Sequence, residues 1–510
     1  MPVLQRISLT LILIAVLGGC SSLPEGIDHP TEPPTSPTPS SLSVLTNEFQ
    51  PEALEQGTTA VRLQESGWDA LAQRLALVES AEHTIDIQYY IWNSDESGRY
   101  LASRLLEAAD RGVKVRVMLD DINLNEREGL LSALNAHPNV EIRIFNPTPT
   151  RRGFSKWLSF VGDFSRLNRR MHNKSFTVDG TLSVVGGRNI GDEYFDLSDE
   201  INFRDRDVLV MGSVVTTIQT SFIEYWNSRW SYPIDMLGDE VLPDISILIG
   251  TEPPSYKHFP ELPIDGKSAA KLLKSTLSQM TWVNARFVYD PPVPIDSDNT
   301  DLPKVTAVLL ADLARKSKYE ILLESAYLVF DDGQLDEWHS LSNNNVEIKA
   351  LTNSMASNDL VTNHSAYAGR RSDMLEHGIE LFELKPESQL CEASTKDASK
   401  CAPSTAYGLH AKSVVFDKRI ASIGSFNFNL RSTYLNTESV LIIENKTIAE
   451  KLAETIEQAM SEENSWRLKL NEGDVNWYSG EQSWDSEPET GQWERIQSGF
   501  LQLLPIEKYL

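Results

Sequence analysis

The sequence predicts an α/β protein of two similar domains, each a mixed β-sheet flanked by helices, related by a pseudo-twofold axis and sharing one active site. Three observations support this class. Apolar, β-rich runs alternate with helical patterns along the chain, as is typical of α/β proteins. The order of these runs recurs in the second half at a nearly constant spacing, which indicates an internal duplication. The length of 510 residues is sufficient for two domains.

The repeat is visible in the individual elements. A helical pattern at 100–109 separates the first two predicted strands, and Arg111-Gly112 ends it. Gln88 matches Glu324 at an offset of 236, and Val113 matches Val346 at an offset of 233. The predicted strands lie at 84–92 and 113–119 in the first repeat and at 320–330 and 346–351 in the second.

We divide the chain accordingly. The first domain is predicted at 46–241 and the second at 302–510. The segment 242–301 matches neither repeat and is rich in proline, so we expect it to be a connection with one short helix around 269–280. Because the chain itself carries both repeats, the site does not require an oligomer.

The charge of the chain limits its partners. There are 46 Lys and Arg against 73 Asp and Glu, which gives a net charge of −27. Such a surface repels polyanions, so we expect no nucleic-acid partner. It also disfavours broad adhesion to anionic membranes, so contact with a phospholipid membrane requires a special device.

The N-terminus supplies such a device. Residues 1–19 carry one positive charge before a short apolar run, as signal peptides do, and they end at Cys20. Leu17-Gly18-Gly19-Cys20 resembles a bacterial lipobox, which implies cleavage and lipidation of Cys20. The alternative is an ordinary signal peptide with a chance cysteine. Residues 20–45, rich in Ser, Thr and Pro, would be an extended tether in the periplasm, and Ser21 favours the outer membrane over the inner one.

Two cysteines remain, Cys391 and Cys401, in a polar loop. In an oxidising compartment we expect them to form a disulfide, and the alternative is two free thiols.

The duplication is sharpest in two motifs of the form His-x-Lys-x4-Asp, spaced 238 residues apart. A glycine and an asparagine follow each motif at matched positions. The motif residues with their asparagines are His172, Lys174, Asp179 and Asn189 in the first half and His410, Lys412, Asp417 and Asn427 in the second.

These residue types suit phosphoryl chemistry. Alternation along a strand places His172 and Lys174 on one face. An imidazole can attack phosphorus, and ammonium and amide groups can stabilise the phosphoryl oxygens. A second imidazole can protonate the leaving alcohol. A single motif could equally be a strand with a surface His and Lys, but two matched copies argue against this. Lysine is a poor zinc ligand, so we expect no metal and no cofactor.

The chain thus resembles the phospholipase D superfamily, and specifically bacterial cardiolipin synthases of the C type. The resemblance rests on Met171–Asp179, Val185–Asp192, Leu351–Ser354, Glu383–Pro386, Gly424–Ser432 and Leu504–Glu507. It implies two phospholipase D-like domains and a phosphatidyl-histidine intermediate formed without metal. It implies His172 as nucleophile and His410 as acid and then base. Lys174, Lys412, Asn189 and Asn427 would contact phosphate, and Asp179 and Asp417 would be structural.

An acidic residue should orient each imidazole. Asn436-x-Glu438 before an apolar strand points to Glu438. Asp207, before the apolar run 208–211, is its predicted counterpart, although the charge alternation at 204–207 could instead mark an exposed strand edge.

The segment 151–174 is a local exception to the acidity, because cations and aromatic rings alternate there. It resembles an interfacial segment that contacts lipid headgroups. Single-stranded nucleic acid and an amphipathic core helix remain alternatives. The predicted membrane contacts are Arg151, Arg152, Trp157, Arg169 and Arg170.

The predicted function is a membrane-anchored phosphatidyltransferase. It would move a phosphatidyl group from a donor phospholipid to phosphatidylglycerol and so form cardiolipin. The alternatives are a hydrolytic phospholipase D that releases phosphatidic acid, a secreted nuclease, and a non-catalytic lipid-binding protein.

Overall fold

A computed structural model describes residues 23, 31–33, 38–50, 58–122, 124, 128–148, 164–237, 244–292, 302–358 and 360–502. Over these ranges, no helix combines the length and the apolar character needed to cross a bilayer.

Helices and strands alternate along most of the chain. The helices are α1 (Ser41–Asn47), α2 (Gly67–Ser80), α3 (Glu96–Asp110), α4 (Glu128–Asn135), α5 (Phe164–Leu167), α6 (Val214–Trp226), α7 (Gly266–Leu277), α8 (Val305–Lys316), α9 (Asp332–Asn343), α10 (Val361–Glu376), α11 (Gln389–Thr395), α12 (Leu430–Tyr434), α13 (Lys446–Ala459) and α14 (Gln492–Leu501). The strands are β1 (Thr58–Gln64), β2 (Thr84–Tyr89), β3 (Lys114–Asp120), β4 (Val140–Phe145), β5 (Ser175–Val178), β6 (Leu182–Gly186), β7 (Ile201–Arg204), β8 (Asp207–Gly212), β9 (Ser231–Pro233), β10 (Thr281–Tyr289), β11 (Glu320–Ser325), β12 (Glu347–Asn353), β13 (Ile379–Leu384), β14 (Ala406–Leu409), β15 (Lys412–Phe416), β16 (Ile420–Gly424), β17 (Ser439–Glu444), β18 (Ser465–Asn471), β19 (Asp474–Ser479) and β20 (Gln482–Trp484).

The two halves have the same sheet topology. In the first half, β4, β3 and β2 are parallel, and β5, β6, β8 and β1 follow in antiparallel order. In the second half, β13, β12 and β11 are parallel, and β15, β16, β17 and β10 follow in the same way. This duplication of a mixed sheet confirms the predicted fold class.

The sheets join through β1 and β10, which pair in antiparallel fashion. Strand β10 therefore takes the place in the second half that β1 takes in the first. Our interpretation of 242–301 as a connection alone was wrong at this point, because the sheet of the second domain begins at Thr281. The predicted short helix is present as α7, somewhat earlier than expected, and its Leu273 and Leu277 pack into the core of the first half.

The tether also ends earlier than we predicted. Helix α1 begins at Ser41, where Ser40 and Ser43 form a capping box and Leu42 is buried. Farther upstream, Glu32 forms ion pairs with Arg116 at 2.6 Å and Lys114 at 2.9 Å. The described part of 20–45 therefore packs on the first domain rather than extending away from it.

Cys391 and Cys401 form a disulfide between the start of α11 and the loop before β14. The bond closes a short loop, since the cysteines are 10 residues apart.

Replacing both cysteines by serine should lower the free energy of unfolding by about 3 kcal/mol, mainly because the unfolded chain then gains conformational entropy. Urea unfolding followed by tryptophan fluorescence measures this loss. Alkylation of two thiols in the unreduced wild-type protein would contradict the pairing.

Candidate active site

The two motifs meet at one cavity of about 420 Å³. His172 lies just before β5 and His410 just before β15, at equivalent ends of the two sheets. Both imidazoles line the cavity, and so do Asn189 and Asn427. The remaining wall is formed by Tyr90, Ile91, Ile122, Tyr194, Tyr327, Leu360, Asn363, Asn429, Arg431, Ser432 and Asn436.

Each imidazole is held by a carboxylate from the opposite half. Nδ1 of His172 lies 2.8 Å from Oε2 of Glu438, and Nδ1 of His410 lies 2.5 Å from Oδ2 of Asp205. With both carboxylates ionised, each Nδ1–H donates, so the other ring nitrogen, Nε2, keeps its lone pair. Neither half can therefore assemble a complete imidazole–carboxylate pair alone.

Backbone pairing between the halves positions each carboxylate beside the imidazole of the opposite half. Strands β7 and β14 form a parallel ribbon that places Arg204 beside Leu409, and His410 N then donates to Arg204 O at 2.8 Å. On the other side, His172 N donates to Thr437 O at 2.9 Å. The residue after each acceptor is the orienting carboxylate, Asp205 or Glu438.

Asp207 is not the orienting residue that we predicted. Its Oδ2 accepts hydrogen bonds from Arg74 Nη2 at 2.8 Å and Arg188 Nε at 3.2 Å, inside the first half. All three side chains are at most 1 % exposed. Asp207 thus neutralises two buried cations, while Asp205, which lies before β8, reaches across to His410. The sequence reasoning missed Asp205.

Glu438 is fixed by two hydroxyl groups as well as by His172. Ser432 Oγ donates to Oε1 at 2.6 Å, and Ser425 Oγ donates to Oε2 at 2.5 Å. Burial raises its pKa, but His172, Lys174 and these donors outweigh burial, so the pKa lies below its usual range. The pKa of Asp205 is lowered in the same way by His410 and Lys412. Both carboxylates are therefore ionised at neutral pH.

Both imidazoles are neutral at pH 7. Burial lowers the pKa of His172 to about 4, although Glu438 acts in the opposite direction, and the Lys174 ammonium lowers it further. Burial, together with Lys412, lowers the pKa of His410 to about 3. At pH 7 each Nε2 can therefore act as a nucleophile or a base.

The two lysines supply the positive charge. Lys174 Nζ donates to His172 O at 2.7 Å, and Lys412 Nζ donates to His410 O. Burial, together with the Lys412 ammonium, lowers the pKa of Lys174 to about 7. Asn427 Oδ1 is buried without a hydrogen-bond partner among the described residues. A phosphate in the cavity would relieve the repulsion between the two ammonium groups.

This electrostatic arrangement predicts proton uptake when an anion binds. At pH 8, Lys174 is mostly neutral in the empty site, and a bound anion should restore its charge, because an adjacent negative charge raises an ammonium pKa. We expect sulfate binding to take up close to one proton at pH 8. Calorimetry in two buffers of different ionisation enthalpy measures this number. Lys174→Met should lower the uptake by the share of this lysine, and a wild-type value near zero would contradict the prediction.

The motif aspartates hold the strand turns. Asp179 accepts the backbone N–H groups of Glu82, His83 and Thr84 at 2.9 to 3.1 Å. Asp417 accepts those of Lys318, Tyr319 and Glu320 in the second half. Neither aspartate lines the cavity, and their hydrogen bonds hold the starts of β2 and β11.

The predicted membrane contacts are placed only in part. Cys20, Arg151, Arg152 and Trp157 lie outside the described residues. Arg169 and Arg170 are only 4 % and 5 % exposed, and Arg170 Nη1 lies 3.3 Å from Asp120 Oδ1. For these two residues the prediction of headgroup contact was wrong, because Arg170 is paired inside the protein and Arg169 is buried beside it. Over the described ranges, no three His, Cys, Asp or Glu side chains are grouped as a metal site requires.

The comparisons with known proteins agree with this geometry. The family model described as "Cardiolipin synthase, PLD-like domain" matches residues 75–226 and 310–460, one match in each half. Cardiolipin synthase C of Escherichia coli K12 is 36 % identical over 457 residues, which cover 87 % of this chain and 94 % of that protein. A cardiolipin synthase of Geobacillus kaustophilus is 26 % identical over 377 residues, or 73 % of this chain and 60 % of that one.

A solved structure shares the fold. The phosphatidylserine synthase of Haemophilus influenzae Rd KW20 superposes with a TM-score of 0.55 at 12 % identity, covering 88 % of this chain and 95 % of that one. Since the family model matches both halves and a relative above 30 % identity matches most of the chain, the protein belongs to the cardiolipin synthase family of phospholipase D-like enzymes and is a phosphatidyltransferase of that type.

Proposed function

We propose that the protein forms cardiolipin by moving the phosphatidyl group of a donor phospholipid to phosphatidylglycerol through a covalent intermediate on His172. The observation that carries this proposal is the pair of imidazoles, each held by a carboxylate of the opposite half, that face one cavity beside two lysines. The relationship to Cardiolipin synthase C supports the choice of product.

In the first step, His172 Nε2 attacks the donor phosphorus and the bond from phosphorus to the headgroup oxygen breaks. His410 Nε2–H gives its proton to that oxygen. His410 acts here in its protonated form, and the anionic phosphodiester favours this form because an adjacent negative charge raises the pKa of an imidazole. Asp205 stabilises the resulting imidazolium. Lys174, Lys412 and the two asparagines stabilise the charge on the phosphoryl oxygens.

In the second step, the released headgroup leaves and the hydroxyl group of phosphatidylglycerol enters. Neutral His410 removes the hydroxyl proton as the oxygen attacks phosphorus, and the bond from phosphorus to His172 Nε2 breaks. The imidazole of His172 returns to its starting state. The hydrogen bond from its Nδ1 to Glu438 keeps the lone pair of His172 Nε2 directed at the cavity. Two in-line displacements give retention of configuration at phosphorus. If water enters instead, the product is phosphatidic acid.

Vesicles that contain labelled phosphatidylethanolamine and phosphatidylglycerol test the proposal with the full chain. We expect labelled cardiolipin from the wild-type protein and from His339→Ala, which changes an exposed histidine, and none from His172→Ala. Phosphatidic acid as the sole product would replace the transferase by a hydrolase. Cleavage of plasmid DNA without any reaction of lipid would favour a nuclease. Omitting each lipid in turn identifies the donor.

We further propose that lipidation of Cys20 anchors the enzyme on the periplasmic side of a membrane, the outer membrane in preference to the inner. The lipobox-like sequence supports this anchor. Metabolic labelling with radioactive palmitate should mark the wild-type chain but not Cys20→Ser. Membrane fractionation then identifies the membrane, and a wild-type chain without label would contradict the anchor.

A further inference from the structure

The start of α8 presents an unusual apolar surface. Leu302, Val305 and Val308 are 61 %, 54 % and 46 % exposed. Their spacing of three residues places them along one side of the helix and the turn before it. Singly exposed apolar residues are common, but a contiguous row is a sign of an interaction surface.

The corresponding helix start in the first half is covered. Helix α2 precedes β2 as α8 precedes β11, and its Trp68 is only 3 % exposed. The ring of Phe259 stacks on Trp68 at 5.1 Å, and Trp68 Nε1 donates to Pro260 O at 3.0 Å. A segment of the 242–301 connection thus covers one helix start. Among the described residues, no equivalent segment covers the other.

The exposed row lies at the same end of the sheet as the cavity. Helix α8 ends at Lys316 and β11 begins at Glu320, so the tight connection makes the helix run antiparallel to the strand. The helix start therefore lies near the carboxyl end of β11, which faces the cavity. A direct contact agrees, because Lys304 N donates to Thr433 O at 2.8 Å. Thr433 belongs to α12, whose Arg431 and Ser432 line the cavity.

Leu360 is a further exposed apolar residue, and it lies at the cavity itself. It is 46 % exposed, lines the cavity and directly precedes α10, which follows the cavity end of β12. We call Leu302, Val305, Val308 and Leu360 the mouth surface. The cations Lys304 and Arg431 lie beside it, which is a favourable arrangement next to lipid phosphates.

We propose that the mouth surface is the part of the enzyme that enters the lipid surface, so that a phospholipid can pass from the bilayer into the cavity without crossing water. Apolar side chains would lie at the acyl boundary and the cations at the phosphates. The inference rests on the proposed function only in so far as the substrate is a phospholipid. A bilayer fits better than a protein partner because the surface lies at the cavity end of the second sheet, where the phospholipid would react.

Fluorescence of the full chain tests contact directly. A nitrobenzoxadiazole label on Val305→Cys should shift to the blue and brighten when phosphatidylethanolamine–phosphatidylglycerol vesicles are added. The matched control is Tyr319→Cys, which lies 72 % exposed just past the opposite end of α8 and should not respond. A response at position 319 but not at 305 would overturn the proposal. So would a blue-shifted label without vesicles in a protein that sediments as a dimer, since the surface would then bind a second copy.

Kinetics test whether the contact serves catalysis. Leu302→Asp/Val305→Asp should lower turnover at least tenfold on vesicles and leave turnover unchanged on a short-chain phospholipid below its critical micelle concentration. Tyr319→Asp should change neither rate. Equal losses on both substrates, or no loss on vesicles, would overturn the proposal. The fluorescence shift does not need turnover, so failure of the proposed reaction and failure of the mouth surface are distinguishable.

Discussion

His410→Ala should retain a burst of p-nitrophenol from phosphatidyl-p-nitrophenol, whereas His172→Ala should give none. Nitrophenolate leaves without protonation, so this donor needs the nucleophile but not the acid. After the burst, His410→Ala should accumulate the phosphatidyl group on His172, because no base activates the acceptor. With a natural phospholipid, His410→Ala should lose about 10⁴-fold in kcat, the upper end of what one general acid–base residue contributes. His172→Ala should show no turnover, because it lacks the nucleophile.

Stopped-flow absorbance measures the burst, and mass spectrometry of peptides from enzyme denatured and digested at neutral pH locates the adduct, because a phosphorus–nitrogen bond is cleaved by acid. The opposite assignment has an equally clear result: a burst from His172→Ala, with the adduct on His410, would make His410 the nucleophile. His339→Ala controls for the loss of an imidazole as such, since this residue is exposed and lies outside the cavity.

The histidines, lysines and asparagines of the candidate site could be predicted because their pattern is local and repeated. Each motif is a short run of sequence around one strand, β5 or β15, and the offset of 238 relates one copy to the other, so both sets could be identified without knowledge of the fold. The sequence alone does not show how close the His172 set lies to the His410 set in the folded protein. That distance depends on the β7–β14 ribbon and on the hydrogen bond from His172 N to Thr437 O, which join residues more than 200 positions apart.

Asp205 could have been found only with the right offset. Glu438 lies 233 residues after Asp205, the spacing that relates Val113 to Val346, and not the 238 of the motifs. The difference arises between Asn189 and Asp205, where the first half has additional residues that include the ribbon strand β7. A chain that uses this stretch to contact its other half cannot keep a constant repeat there.

Strand β10 was missed for a related reason. Prolines lie on both sides of it, and only Val283 and Phe287 of its 9 residues are buried. This pattern is too weak to predict a strand. The strand is stabilised by pairing with β1 and β17, which are distant in sequence. Arg169 and Arg170 illustrate the same limit, since their cationic character suggested a surface and the carboxylate that buries Arg170, Asp120, lies 50 residues earlier.

The second large prediction separates Asp205 from Asp207. Asp205→Asn should lower kcat about 10⁴-fold while the protein stays folded, because an amide neither holds the required His410 tautomer nor stabilises its imidazolium. Asp207→Asn should act on stability instead. It leaves Arg74 and Arg188 buried beside a neutral group, and breaking such a buried pair costs about 3–5 kcal/mol. Urea unfolding and the steady-state rate, measured on the same preparations, give the two quantities.

The comparison is informative because both changes replace a carboxylate by an amide of the same shape, two residues apart on one chain. A general weakening of this region would lower activity and stability together in both variants. Only separate roles give an inactive stable protein in one case and a destabilised protein, active while folded, in the other. Asp474→Asn, at an exposed position, should change neither quantity. If Asp207→Asn instead removed activity at full stability while Asp205→Asn remained active, the carboxylate that serves His410 would be Asp207, and the exchange of carboxylates between the halves would be disproved on that side.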